Sequence, residues 1–288
     1  MLLVRAARHL GVLLLVLTLG GFLGATLVRF APGFDVDEQD LDSRLSEESR
    51  EVLRRERSGE RNLAGFYAHY LAGMAAGDLG RSRTFGRPVK ELLYERCAVT
   101  LRLVGIGLLL AWGLALPAAA PAALSRGTTA DLLLSWASGA LLTLPAAVVA
   151  FGFLYLGVPV YWCMAVVLCP RLFRYLRNLL LEARRMPHVL AARARGIREP
   201  AVLARHILPQ VAPQAIALGG TSFSMALAAV VPVEVLSDVP GVGQLAWQAA
   251  TGRDLPLLVG LTLVLTALVV SANGLSDLAV FLAERRHS

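Results

Sequence analysis

The residues able to do chemistry in this chain are unevenly placed, and arginine dominates them. Nine arginines (Arg171, Arg174, Arg177, Arg184, Arg185, Arg193, Arg195, Arg198 and Arg205) face only two acids, Glu182 and Glu199. A basic cluster of this kind holds anionic headgroups or docks a protein partner. One carboxylate, Glu234, closes the 27-residue uncharged run Ile207–Val233. A carboxylate near membrane depth is costly unless it faces a partner or a cavity. Two roles follow for Glu234: an interfacial acid paired with Arg253 or a backbone amide, or a group on a pathway or gate.

Catalytic constellations are missing from the sequence. His9, His69, His188, His206 and His287 are scattered, with no carboxylates grouped around any of them. Cys97, Cys163 and Cys169 have neither metal spacing nor a disulfide framework. Gly241-Val-Gly243-Gln-Leu-Ala246 has the form of a dinucleotide loop. No βαβ pattern surrounds it, and no acid lies about 20 residues on to hold a ribose. There is no G-x-x-x-x-G-K-[ST], H-E-x-x-H or G-x-S-x-G motif. The expectation is a protein that is not an enzyme and carries no metal and no cofactor of its own.

The elements that position these residues are apolar. The chain is 56% hydrophobic with a mean hydropathy of +0.60. Five uncharged runs stand out: Leu10–Val28, Leu103–Ser125, Leu132–Pro170, Ile207–Val233 and Leu255–Ser276. A bilayer core of roughly 30 Å takes about 20 residues of helix. The third run, at 39 residues, is too long for one span. Gly157-Val158-Pro159 supplies the turn that divides it. The predicted fold is therefore all-α and polytopic, with six transmembrane helices. The first run exceeds the apolar core of a signal peptide and reads as a retained span.

Charge sets the topology. The net charge is +7. Arg5, Arg8, Arg126, the nine-arginine segment, Arg285 and Arg286 all fall on one side if six spans alternate. The positive-inside rule makes that side cytoplasmic, with both termini inside. No nucleic-acid partner is needed to explain the excess. Residues 1–31 are then the first transmembrane helix, and residues 32–97 a largely helical extracytoplasmic insertion between helices 1 and 2. Residues 98–288 form a five-helix core containing a cytoplasmic loop, 177–210. Within the insertion, residues 35–62 read as a solvated charged helix, and Asn62–Met74 as an amphipathic one.

Local signals complete the pattern. Gly77-Asp78-Leu79-Gly80-Arg81-Ser82 is a loop, and Pro88 opens a helix that runs into the second span. Pro117 and Pro145 lie inside spans, and Gly219-Gly220-Thr221-Ser222 permits close helix packing. In the cytoplasmic loop a short helix stops at Gly196, and a second starts at Glu199-Pro200 and ends before Pro209. After the fifth span, Pro240-Gly241 turns the chain, Gly243–Thr251 forms a short helix, and Asp254 caps the sixth span with Pro256 in its first turn.

These stretches resemble one family, the inner-membrane permease subunits of binding-protein-dependent ABC importers, in its dipeptide/oligopeptide/nickel branch. Ala191-Ala192-Arg193-Ala194-Arg195-Gly196-Ile197, followed by Val202-Leu203-Ala204-Arg205-His206-Ile207-Leu208-Pro209, is similar to that family's EAA loop. Three further stretches are similar to the same branch: Leu27-Val-Arg-Phe-Ala-Pro-Gly33, Gly77–Ser82 with Gly86-Arg-Pro-Val89, and Glu234 with Pro240-Gly-Val-Gly243 and Arg253-Asp-Leu-Pro256. The likeness runs from end to end in order.

The resemblance implies half of an import path for peptides or a similar small solute. The other half comes from a second homologous permease. Two ABC ATPase subunits bind the ATP, and an extracytoplasmic binding protein delivers the solute. Ala191, Ala192, Arg193, Ala194, Arg195, Gly196, Ile197, Arg205 and Pro209 would couple the chain to the ATPases. Glu234, Pro240, Gly241, Gly243, Arg253 and Asp254 would belong to the outer gate or pathway. The chain departs from the family pattern in its short third-to-fourth connection, in Ala146-Ala147-Val148 after Pro145, and in Pro187-His188 at the entry to the loop helix. The reading from a different class is a membrane scaffold or lipid-binding protein that uses the arginine-rich loop.

Overall fold

The computed structural model describes residues 78–124 and 129–285, with the isolated positions Gly11, Leu15, Thr18, Leu19, Thr26 and Gly73. Apart from those positions, the first expected span and residues 32–77 lie outside the described residues. The described chain is helical: α1 (Val89–Leu124), α2 (Thr129–Thr143), α3 (Ala146–Tyr155), α4 (Val160–Ala183), α5 (Pro187–Ala194), α6 (Glu199–Val202), a π turn (Leu203–Ile207), α7 (Leu208–Leu236), α8 (Val242–Thr251) and α9 (Leu255–Arg285). Among the described residues the one β feature is an isolated bridge between Arg81 and Pro88.

Three helical stretches are long and apolar enough to cross a membrane: Val89–Ala123, Glu199–Leu236 and Leu255–Ala283. The α2–α3 pair makes a fourth if taken as one span, and it is bent by 98°. Here the sequence expectation needs correcting. The 39-residue run divides at Gly157 as predicted, but it also divides at Pro145. Pro145 lacks the N–H to continue the ladder, and a residue before proline is pushed out of the α region. Helix α2 therefore stops at Thr143 and Pro145 becomes the N-cap of α3. Gly157, at φ +64°, closes α3, with Val158 N–H donating to the Phe153 carbonyl at 3.1 Å.

A second correction concerns Pro209. The helix entered at Glu199 does not end before it. The backbone widens into a π turn in which Leu208 N–H donates to the Leu203 carbonyl, and α7 continues directly. The extra residue in the turn absorbs the proline without breaking the rod. Pro213 and Pro232 likewise lie inside α7.

The described residues fall into two compact units, one within Met1–Ala98 and Leu245–Leu268, the other within Val99–Gln244 and Val269–Ser288. In the second, α4 is the central helix and packs on α2, α3 and α7. Its inner face is apolar, with Met164, Leu168, Leu172, Phe173, Leu176 and Leu180 all buried. Small residues allow backbones to meet. A Cβ on Gly107 would lie 2.6 Å from that of Met164, and one on Gly220 would lie 2.7 Å from that of Ser276. Ser276 Oγ donates across to the Ile216 carbonyl at 2.8 Å, joining α9 to α7. Many large apolar side chains point outward, among them Leu109, Leu133, Trp136 and Phe151. This is the pattern of a chain solvated by lipid or by another subunit.

Among the described residues of this unit, one ion pair is largely buried. Arg177 on α4 donates twice to Asp131 in the first turn of α2, at 2.6 and 2.7 Å. Removing one partner leaves the other charge poorly solvated. Asp131→Ala is expected to cost about 2–3 kcal/mol, below the roughly 3–5 of a fully buried pair, because the Arg177 side chain keeps 19% exposure. Thermal unfolding in detergent checks this, and an unchanged midpoint refutes it.

Candidate functional site

Two constellations gather the residues singled out in the second unit. The first is the polar loop between α4 and α7. Pro187 opens α5 at a position where its missing N–H is harmless. Gly196 ends it with φ +75°. Gly196 N–H donates to the Arg193 carbonyl at 2.9 Å, and Ile197 N–H to the Ala192 carbonyl at 3.3 Å. That double closure is a Schellman motif, and it requires the left-handed residue that glycine supplies. Helix α5 buries Val189 and Ala192, three residues apart on one face. Leu190, Ala191, Ala194, Arg195, Gly196 and Ile197 are exposed.

The predicted coupling residues therefore separate. Ala192 supports the loop from within, whereas Ala191, Ala194, Arg195, Gly196 and Ile197 form its outer surface. Arg193 is turned back and pairs with Glu199 at 3.0 Å, tying α5 to α6. Arg184 lies 3.8 Å from the same carboxylate and donates to the Ala123 carbonyl near the end of α1. Burial, followed by the nearby Arg193 charge, lowers the Arg184 pKa from its ordinary value. Arg205 is exposed and Pro209 half-buried. Two of the nine arginines are thus engaged within the loop itself.

The second constellation surrounds Glu234, which has no exposed surface. Its carboxylate accepts Thr100 Oγ1–H at 2.6 Å, Gly243 N–H at 2.7 Å and Gln244 N–H at 3.3 Å. Thr100 Oγ1 in turn accepts Val242 N–H at 2.7 Å. These amides are the first three of α8, which would otherwise have no intrahelical partner. Its N-terminal neighbour Gly241 cannot cap them, having no side chain. Glu234 and Thr100 cap the helix from other elements, and the carboxylate also faces the positive end of the helix dipole. Gly241 is required because a Cβ there would overlap the Glu234 carboxylate. A Cβ on Gly243 would lie 2.7 Å from the Val231 Cα. The G-x-G spacing that imitates a nucleotide loop is thus explained by room for a carboxylate. Pro240 lies in the intervening turn.

Glu234 thus accepts backbone amides, in an arrangement that Thr100 completes. Thr100 was not legible as part of it. It lies 134 residues from its partner and its neighbours carry no motif. In the first unit, Asp254 organises its own set of contacts. Its Oδ1 accepts Leu257 N–H at 3.2 Å, the cap predicted for α9, and its Oδ2 accepts Ser82 Oγ–H and Thr84 N–H at 2.5 and 3.0 Å. Arg253 is exposed with φ +52°.

The space between α1, α4 and α7 is an apolar cleft of about 270 Å³ lined by Trp112, Leu116, Leu176, Leu180, Leu208 and Val211. It presents nothing that reads a charged solute. Among the described residues no group of histidine, cysteine or carboxylate side chains could hold a metal ion.

The second unit thus presents apolar helices, a Schellman-closed polar loop and a capped start of α8. Residues 114–288 match the family described as binding-protein-dependent transport system inner membrane component. The chain belongs to that family. It is the permease component of an ABC importer and a multi-pass inner-membrane protein, in the dipeptide/oligopeptide/nickel branch. A Brucella ovis protein that carries a provisional peptide permease name is 27% identical over 309 aligned positions, covering 94% of this permease and 96% of the relative. The nickel import system permease NikB of Staphylococcus aureus (strain bovine RF122 / ET3-1) is 25% identical, covering 90% and 84%. In fold the permease is similar to a chain of the inward-facing MetNI methionine ABC transporter. The TM-score is 0.62 at 17% identity, over 67% of this permease and 97% of that chain.

Proposed function

We propose that this permease forms half of a solute path and takes its conformational drive through the exposed face of α5 and the Gly196 turn. The carrying observation is the separation of that loop into a buried face (Val189, Ala192) and an exposed face of small residues (Ala191, Ala194, Gly196). Small side chains let a partner's groove close on the backbone, and the Schellman turn holds the loop in one shape without partner contacts. The assembly consists of this chain, a second homologous permease, two ATPase subunits that bind the ATP, and an extracytoplasmic binding protein. Six spans, with both termini in the cytoplasm, place α5 at the ATPases and the Glu234 and Asp254 clusters at the outer side. There Glu234, Pro240, Gly241 and Gly243 fix α8, which serves as a rigid part of the outer gate.

The solute is a peptide or a similar small molecule, and selection rests mainly with the binding protein. That division agrees with the apolar cleft between α1, α4 and α7. A lipid-gripping role for the arginines is disfavoured because Arg184 and Arg193 are already engaged with Ala123 and Glu199. Co-expression of this permease with a second permease and ATPase subunits from the same genome, followed by affinity purification through this chain, tests the assembly. Both ATPase copies and the second permease are expected in one complex. Recovery of this chain alone, under conditions that keep it folded, refutes the proposal.

A further inference from the structure

Helix α4 is long enough to cross a bilayer, but only its first half is free of charge. Its 24 residues extend about 36 Å. The uncharged part, Val160–Pro170, covers about 16 Å, near half of the roughly 30 Å of a hydrocarbon core. Two contacts mark the inner end of the helix. Arg184, the residue after α4, donates to the carbonyl of Ala123, where the α1 span ends. Arg177 pairs with Asp131 in the first turn of α2. Arg174 lies one turn above Arg177, about 4.5 Å further into the membrane, and Arg171 about 9 Å further.

Arg171 and Arg174 are exposed, and among the described residues no hydrogen bond or ion pair engages either. A charge at that depth faces water, a cavity or an opposite charge. Tyr175, Asn178 and Glu182 continue the same exposed face at helical spacing, with Leu172, Phe173, Leu176 and Leu180 buried opposite. The surfaces that suit lipid look different: α1 and α2 turn Leu109, Leu133 and Trp136 outward. Pro170 is a second sign of water. It has no N–H, so the helical bond to the Val166 carbonyl is missing at the top of this face. A carbonyl freed at membrane depth is tolerated where water or another donor reaches it.

We infer that Arg171 and Arg174 line the inner half of the solute path and form a site for the carboxylate of a passing solute. This deepens the proposed function and rests on it. Arginines three residues apart on a helix have Cβ atoms about 5–6 Å apart, close enough for both guanidinium groups to grip one carboxylate. A lipid phosphate offers similar chemistry. The polar face, however, continues from Arg171 to Glu182 over about 16 Å, farther than the roughly 5–7 Å of one headgroup layer. A wetted wall fits that length.

The test uses the complete transporter in nanodiscs of neutral lipid, with Cys97, Cys163 and Cys169 replaced by alanine and one new cysteine added. The probes are an anionic sulfonatoethyl and a cationic trimethylammonioethyl methanethiosulfonate, with labelling of this chain read by mass. Tyr175→Cys and Asn178→Cys should react about tenfold or more faster than the outward-facing Leu133→Cys, because the reactive thiolate forms in water. At Tyr175→Cys the anionic reagent should be favoured, and Arg171→Gln with Arg174→Gln should cut that preference about fivefold or more. Millimolar alanyl-alanine should slow the anionic reagent there, whereas its C-terminal amide should not. A Tyr175→Cys no more reactive than Leu133→Cys overturns the inference, since the face is then covered. So does a preference that survives loss of both arginines, or an equal effect of the two dipeptides. Loss of the preference on adding phosphatidylglycerol makes a lipid phosphate the occupant and also overturns it. If the wild-type chain fails to assemble with the ATPases, the importer reading falls and this inference with it. An assembled transporter with an unreactive α4 face removes this inference alone.

Discussion

Glu234→Ala is expected to destabilise the permease by about 3–5 kcal/mol and to abolish uptake, whereas Glu234→Gln should cost about 1. The difference follows from what each side chain leaves behind. Alanine strands three buried donors: the Thr100 hydroxyl and the amides of Gly243 and Gln244. Each buried donor without a partner costs about 1–3 kcal/mol, and the vacated volume adds to that. Glutamine keeps a carbonyl oxygen for the two amides. Its NH₂ then meets Thr100 Oγ1, which has a lone pair left after accepting Val242 N–H. Only the hydroxyl proton must find another acceptor. Thr100→Val should fall between the two, because it strands the Val242 amide and one carboxylate oxygen. Gly241→Ala should resemble Glu234→Ala, since its methyl group displaces the carboxylate from the same amides. Thermal unfolding in detergent and uptake in proteoliposomes give the order. Equal stability of the alanine and glutamine variants would mean that the cap does not hold α8.

The legible part of the structure is the part carried by local rules. Apolar run lengths locate α1, α7 and α9, and Pro88, Gly157, Gly196 and Asp254 mark helix ends because each supplies a conformation or acceptor that the terminus needs. Two backbone features escaped. The bend at Pro145 depends on whether neighbours re-satisfy the freed carbonyls, which a single stretch cannot show. The π turn at Leu203–Ile207 is a compromise between Pro209 and the continuity of α7, and no residue type announces it. The polar clusters escaped differently. Glu234 was recognisable as an unusual carboxylate and Asp254 as a cap, but their partners Thr100 and Ser82 lie 134 and 172 residues away. A hydroxyl that completes a cap from another helix looks like any other threonine or serine. Likewise Ala192 is identical in type to Ala191 and Ala194, and only the rotation of α5 against its neighbours turns it inward.

That rotation gives the second large expected effect. Ala194→Glu and Ala191→Glu should leave stability within about 0.5 kcal/mol, the usual range for exposed positions. They should nevertheless reduce recovery of the ATPases by tenfold or more, which is about 1.4 kcal/mol of docking energy. Ala192→Glu should do the reverse in order. It places an unpaired carboxylate in a buried position, so unfolding comes first and loss of the ATPases follows from it. Arg193→Ala separates the small-residue reading from an arginine-centred one. Its pair with Glu199 is partly exposed, at 25% and 49%, and such pairs contribute about 0–1 kcal/mol. If the contact is made by the alanine face, Arg193→Ala should lose little ATPase, and Ala194→Glu should lose most of it in the same preparation. Were the arginine variant to lose more than the alanine variant, the contact would lie on the charges, and the exposed alanines would be only the spacing between them.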